Sequence, residues 1–192
     1  MDKFFANLWW VLAIGFGVAG VVMALPDYAI APGVTSVGVA AGVFQWLHVL
    51  FGVMWIGLLY YFNFVQVPLM PAIPAEAKPA VTKHIAPKAL FYFRWSAALT
   101  VLAGLVLAHL YHELMEVITF QEGFRLLSIG AYLGLIMAFN VWFIIWPAQK
   151  KVLGLVEADD AAKAKAAKAA LIASRTNVLL SIPMLLAMTN FR

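Results

Sequence analysis

The chain has 192 residues, of which 65% are hydrophobic and 11% charged, with a mean hydropathy of +0.92 and a formal net charge of +4. Soluble domains carry about 25% charged residues, so the composition excludes a soluble globular protein and predicts one compact helical domain in a bilayer. The absence of Cys excludes disulfides, thiolate metal sites, Fe–S clusters and covalently attached c-type haem, leaving His, carboxylate, Met or backbone groups for any metal.

The first predicted span covers residues 4–25. Lys3 precedes it and no small-x-small cleavage site follows, so it reads as a retained span and not a signal peptide. Within it, Gly15-Phe-Gly17-Val-Ala-Gly20 spells the GxGxxG dinucleotide fingerprint. That fingerprint needs a strand before it and a helix after it. Inside an uninterrupted apolar run, Ala13/Gly17 and Gly20/Ala24 instead suit close packing between membrane helices.

A loop at 26–37 holds Asp27 and no Lys or Arg. The second predicted span, 43–67, carries no charge. As a helix it is about 38 Å long, enough to cross a bilayer. At ~100° per residue, Gln45, His48, Gly52, Trp55, Leu59, Asn63 and Gln66 share an arc of roughly 80°. Lipid satisfies none of the polar groups, so this stripe is expected to face other helices, a cofactor or trapped water. Pro68, Pro71, Pro74 and Pro79 predict an irregular connection, which also holds Lys78, Lys83 and Lys88.

The third predicted span covers 89–111, with a helix that continues towards Glu116. An acidic loop with Glu113, Glu116 and Glu122 follows. The fourth span, 126–146, is expected to close at Pro147, before Lys150 and Lys151. An Ala/Lys-rich segment, 157–170, begins with Asp159 and Asp160 and continues with Lys163, Lys165 and Lys168, an order that suits the helix dipole. It is expected to run into a fifth span, 171–188, with Pro183 as a kink point. The fold class predicted is therefore all-α, an integral membrane five-helix bundle. Lysines occupy alternate loops, and the positive-inside rule places the N-terminus in the cytoplasm and the C-terminus in the periplasm of a bacterial inner membrane. The positive charge follows topology and gives no reason to invoke nucleic acid.

Two groups of polar residues result. Towards the acidic side lie Gln45, His48, His109 and His112. The run His109-x-x-His112-Glu113-x-x-Glu116 has the spacing of one broad helix face, suited to a divalent metal, to haem iron, or to a solvated helix end. His48 lies inside an apolar helix. It is either a haem or metal ligand, or a structural or proton-handling histidine hydrogen-bonded to a neighbour such as Gln45. His84 reads as surface. Towards the lysine-rich side lie Asn63, Gln66, Arg94, Asn140, Arg175, Thr176 and Asn177. Arg94 and Arg175 are either interfacial anchors or, with Asn63, Asn140 and Asn177, a site for an anionic substrate. Trp95, Trp142 and Trp146 read as an interface belt.

Four stretches carry a resemblance: WLHVLFGVMWIGLLYYF, FRWSAALTVLAGLVL, MAFNVWFIIWPAQKKVLG and RTNVLLSIPMLLAM. Over about residues 43–190 they resemble the membrane domain of bacterial membrane-bound urate hydroxylase, the urate oxidase N-terminal family. More distantly, the LHxxxxxxWxG pattern resembles the membrane protoporphyrinogen oxidase and copper-resistance D groups. The resemblance implies haem b bound by His48, on the helix face that carries Gly52 and Trp55; a second ligand would have to be His109, His112 or a group from a partner, and the small residues Gly52, Gly104 and Ala108 would leave room for a flat porphyrin. It places Arg94, Trp95 and Asn140 in the bundle interior. Three departures stand out: a Pro/Lys-rich loop replaces a Gly-rich segment with a histidine, Thr176 occupies a histidine position, and no CxxCH cytochrome segment is present.

The function expected is a haem b-binding redox module that passes electrons to a separate acceptor. The alternatives are a non-catalytic accessory or assembly subunit, or a periplasm-facing copper-handling protein using His109, His112, Glu113 and Glu116. The partners expected are the lipid bilayer, a periplasmic cytochrome or larger membrane complex, and a further copy of the chain.

Overall fold

The computed structural model describes residues 8–23 and 36–190. It divides into two compact units, Met1–Val43 and Phe44–Arg192. In the first unit, α1 (Leu8–Met23) is one uninterrupted helix through Gly15, Gly17 and Gly20, so the GxGxxG match is not a strand–turn–helix. Helix α2 begins at Ser36, straddles the boundary between the units and ends at Leu69.

The second unit continues with α3 (Lys78–Leu110), α4 (Leu114–Ile118), α5 (Arg125–Val152) and α6 (Asp160–Thr189). Among the described residues there is no strand, and α2, α3, α5 and α6 are long and apolar enough to cross a membrane. At 28 or more residues each they exceed the hydrocarbon thickness of about 30 Å. Each of the four supplies the core: Trp55, Ile56, Leu59 and Phe62 from α2; Leu90, Phe93 and Ala97 from α3; Met137, Val141 and Ile145 from α5; Ala173 and Met184 from α6. Large apolar side chains such as Val53, Phe64, Phe143, Leu179 and Ile182 point outward. That inversion of the soluble pattern is what a lipid solvent requires.

The prolines behave differently from the expectation. Helix α2 continues past Pro68 to Leu69, α3 starts at Lys78 and contains Pro79 and Pro87, and α5 continues through Pro147 to Val152. Three π-helical turns explain most of this: Tyr61–Gln66, Val81–Ile85 and Asn140–Ile145. Each ends two residues before a proline, at Pro68, Pro87 and Pro147. A proline inside an α-helix lacks one hydrogen-bond donor and collides with the carbonyl four residues back. A widened turn just upstream moves that carbonyl, so the helix absorbs the proline and does not stop. Helix α5 ends instead at Val152, and Gly154, with a φ of +73°, takes the left-handed position just after it.

At the start of α6 the Asp159 carboxylate accepts a hydrogen bond from the Ala162 amide at 2.6 Å, an N-cap, and Lys163 lies 3.9 Å from Asp160. Ala166 and Ala170 pack on Ala148 of α5, and the helix then runs unbroken into the apolar part. The Ala/Lys-rich segment and the last span are one helix. Helix α3, in contrast, stops at Leu110. His112 has a φ of +59° and α4 begins only at Leu114, so the expected helical continuation to Glu116 is broken.

Candidate functional site

The polar stripe of α2 is an interior face for most of its length. Trp55, Leu59 and Asn63 are buried, His48, Gly52 and Gln66 half-buried, and Gln45 exposed, accepting a hydrogen bond from the Tyr111 hydroxyl at 3.4 Å. The stripe meets two different environments along its length.

At one end, His48 packs against α3. Its Nδ1 lies 2.8 Å from the Thr100 carbonyl oxygen. A carbonyl only accepts, so Nδ1 carries the proton and donates, and the neutral ring keeps a lone pair on Nε2. The contact is possible because Gly104 has no side chain. A Cβ there would sit 2.8 Å from Cε1 and 2.9 Å from Nδ1 of His48. The Thr100 hydroxyl gives its proton to the Ser96 carbonyl at 2.7 Å, so it is the Thr100 backbone carbonyl that meets His48. Two turns further along α2, Trp55 is 2% exposed and its indole N–H has no partner among the described residues. This is a histidine with a fixed tautomer and a free imine nitrogen, on the helix face that also carries an unsatisfied buried donor.

The other histidines do not converge on it. His109 lies five residues beyond Gly104, so it points about 140° away from the face that meets His48, and it is exposed. His112 is exposed beyond the helix end, and Glu113 and Glu116 belong to the break and to α4. Among the described residues no three His, Asp or Glu side chains gather as a metal site.

At the other end, the stripe joins a buried polar ladder organised by α6. Ser174, Asn177 and Ser181 occupy one face of α6 at i, i+3 and i+7. The Asn63 amide donates to Ser174 Oγ at 2.7 Å and to the Leu59 carbonyl at 2.8 Å. The Asn140 amide donates to Asn177 Oδ1 at 2.8 Å, and the Asn177 amide donates to the Met137 carbonyl at 3.0 Å. Tyr60 and Ser181 hydroxyls meet at 2.9 Å. Asn63 and Asn140 both stand in π turns, whose freed carbonyls and altered pitch admit such side chains. On this side Asn63 Oδ1 and Gln66 Oε1 lack partners among the described residues, as do Trp55 Nε1 and, on α4, Glu116 Oε2. Asn63, Asn140 and Asn177 are thus brought together, chiefly to bond one another and the backbone. Arg94 lies apart from them, stacked on Trp146, and Arg175 is exposed. Tyr60, Ser174 and Ser181 belong to this ladder although the sequence reading passed over them. The serine–asparagine–serine spacing in the last span was the available signal.

Residues 106–191 match the family model described as urate oxidase N-terminal. The match begins at Val106, so it covers the end of α3 together with α4, α5 and α6, and leaves His48, Asn63 and Arg94 outside. No curated protein and no solved structure matches the chain.

Proposed function

We propose, with residues 106–191 belonging to the urate oxidase N-terminal family, that the chain is a urate hydroxylase-like module of a bacterial inner membrane that holds haem b through His48 and hands electrons to a separate acceptor. The observation that carries the reading is the setting of His48. Histidines that ligate iron through one nitrogen almost always donate the other N–H to a carboxylate, a backbone carbonyl or water. His48 makes this bond to Thr100, and Gly104 supplies the room for it. Nε2 is then the ligating atom, and Trp55 offers an indole N–H to a polar atom on the same face.

When bound, haem supplies one-electron transfer. The chain's own contributions are local. Thr100 fixes the ring orientation and keeps the proton on Nδ1, which maintains Nε2 as an electron-pair donor at every turnover. The Asn63–Ser174 and Asn140–Asn177 bonds lock α2 and α5 onto α6 and so hold the face that carries His48.

The test is an absorbance spectrum of detergent-purified protein, produced with ample haem, before and after dithionite. The reading predicts a Soret band and a reduced α-band. A protein without either sinks it, and His48 is then a lock between α2 and α3.

A further inference from the structure

At the lysine-rich end of α3 and α5, two cations share one indole. The Arg94 guanidinium lies 3.8 Å from the centroid of Trp146, and Lys150, one turn beyond Trp146, places Nζ 5.9 Å from the same ring. The described residues contain one ion pair, Lys163 with Asp160, so neither Arg94 nor Lys150 has a carboxylate partner among them. Stacking on an aromatic face attracts a cation but does not neutralise it, and two neighbouring cations at the edge of a low-dielectric phase repel each other unless an anion joins them.

The corner is held in place before any ligand arrives. The Trp142 indole donates to the Arg94 carbonyl at 3.1 Å, and Trp142 meets Trp95 edge-on with centroids 5.5 Å apart. These contacts tie the two helices together one turn deeper than the charges. The cleft lined by Arg94, Trp146 and four core residues is too narrow to admit even a water-sized molecule, whereas small-molecule pockets span ≈ 300–1,000 Å³. A ligand must therefore lie mostly outside, against the membrane-facing surface. On that surface Phe91 and Trp95 flank Arg94 at 45% and 46% exposure. Lys150 and Lys151 stand in the last turn of α5, the level at which a spanning helix meets headgroups.

We propose that the Arg94–Trp146–Lys150 corner binds the phosphate of an anionic phospholipid, with the acyl chains along Phe91 and Trp95. The planar guanidinium takes two phosphate oxygens side by side, Lys150 adds a point charge, and the aromatic rings receive the glycerol and upper acyl region. Basic pockets between membrane helices are the usual form of such sites. This site is independent of the haem reading.

The experiment reconstitutes the full chain in vesicles and measures quenching of tryptophan emission by brominated phosphatidylglycerol or brominated phosphatidylcholine at equal mole fraction. The expected result is a preference of about fivefold or more for the anionic lipid, falling towards unity in Arg94→Gln and lowered in Lys150→Gln. Unchanged quenching by the neutral lipid shows that both variants remain folded. Equal quenching of the wild type by the two lipids overturns the proposal. So does a preference that survives Arg94→Gln, or one that Lys168→Gln lowers as much as Arg94→Gln does, since that is bulk surface potential and not a site.

Discussion

Gly104→Ala isolates the contact on which the His48 arrangement depends. The added Cβ would lie 2.8 Å from Cε1 and 2.9 Å from Nδ1 of His48. Neither atom is the far end of a flexible chain, so the ring must turn or α2 must move away. Overpacking of this kind costs about 1–3 kcal/mol, and loss of the bond to Thr100 adds about 1 kcal/mol. Replacing a helical glycine with alanine returns about 1 kcal/mol. The net expectation is destabilisation by about 1–3 kcal/mol. Gly52→Ala is the matched control, because its Cβ would meet only Thr100 Cγ2, at an ordinary 3.8 Å. There the propensity gain stands alone and stabilises by about 0.5–1 kcal/mol. Reversible unfolding in mixed micelles measures both. The same Gly104→Ala change made in a His48→Ala background has no ring to strike and should become neutral or stabilising. Equal stability of the two glycine variants, or additivity of His48→Ala with Gly104→Ala, would refute the reasoning.

Three further outcomes follow from the geometry. Asn177→Leu leaves the Asn140 side-chain amide without its partner and takes one of two donors from the Met137 carbonyl, which keeps the Asn140 backbone N–H; a loss of about 1–2 kcal/mol is expected, and the double variant with Asn140→Leu should lose less than the sum of the two singles in the same unfolding assay. Pro147→Ala should change stability by less than about 1 kcal/mol, because the π turn at Asn140–Ile145 already accommodates the proline, whereas Leu133→Pro, in the regular part of α5, should cost about 3 kcal/mol or more. Asp159→Ala removes the cap on the Ala162 amide and should weaken the first turn of α6 by about 1 kcal/mol, seen as faster hydrogen exchange there and unchanged exchange at Asn177.

The sequence made the membrane character legible because lipid solvation leaves a coarse signature, long apolar runs with charges confined between them. It also made the inward face of α2 legible, since Trp55, Leu59 and Asn63 are buried as the 100° periodicity requires. Prolines misled the boundaries of α2, α3 and α5. Pro68 and Pro147 read as stops and Pro79 as part of an irregular connection, whereas π turns ahead of Pro68, Pro87 and Pro147, which depend on hydrogen bonds the sequence does not display, let each helix pass. The His109–Glu116 run misled in the opposite sense. Its i, i+3, i+4, i+7 spacing is meaningful only on a continuous helix, and the positive φ of His112 removes that continuity. The Gly104 contact was invisible for another reason: it joins positions 48 and 104 across two helices, and a single sequence carries no signal for such a pairing.

The central claim is that His48 presents Nε2 to haem iron. Pyridine haemochrome analysis of purified wild type and His48→Ala, each verified as folded by its unfolding transition, tests it most directly. The account predicts stoichiometric haem b in the wild type and its loss from His48→Ala. Haem at equal stoichiometry in both proteins, or in neither, would contradict it.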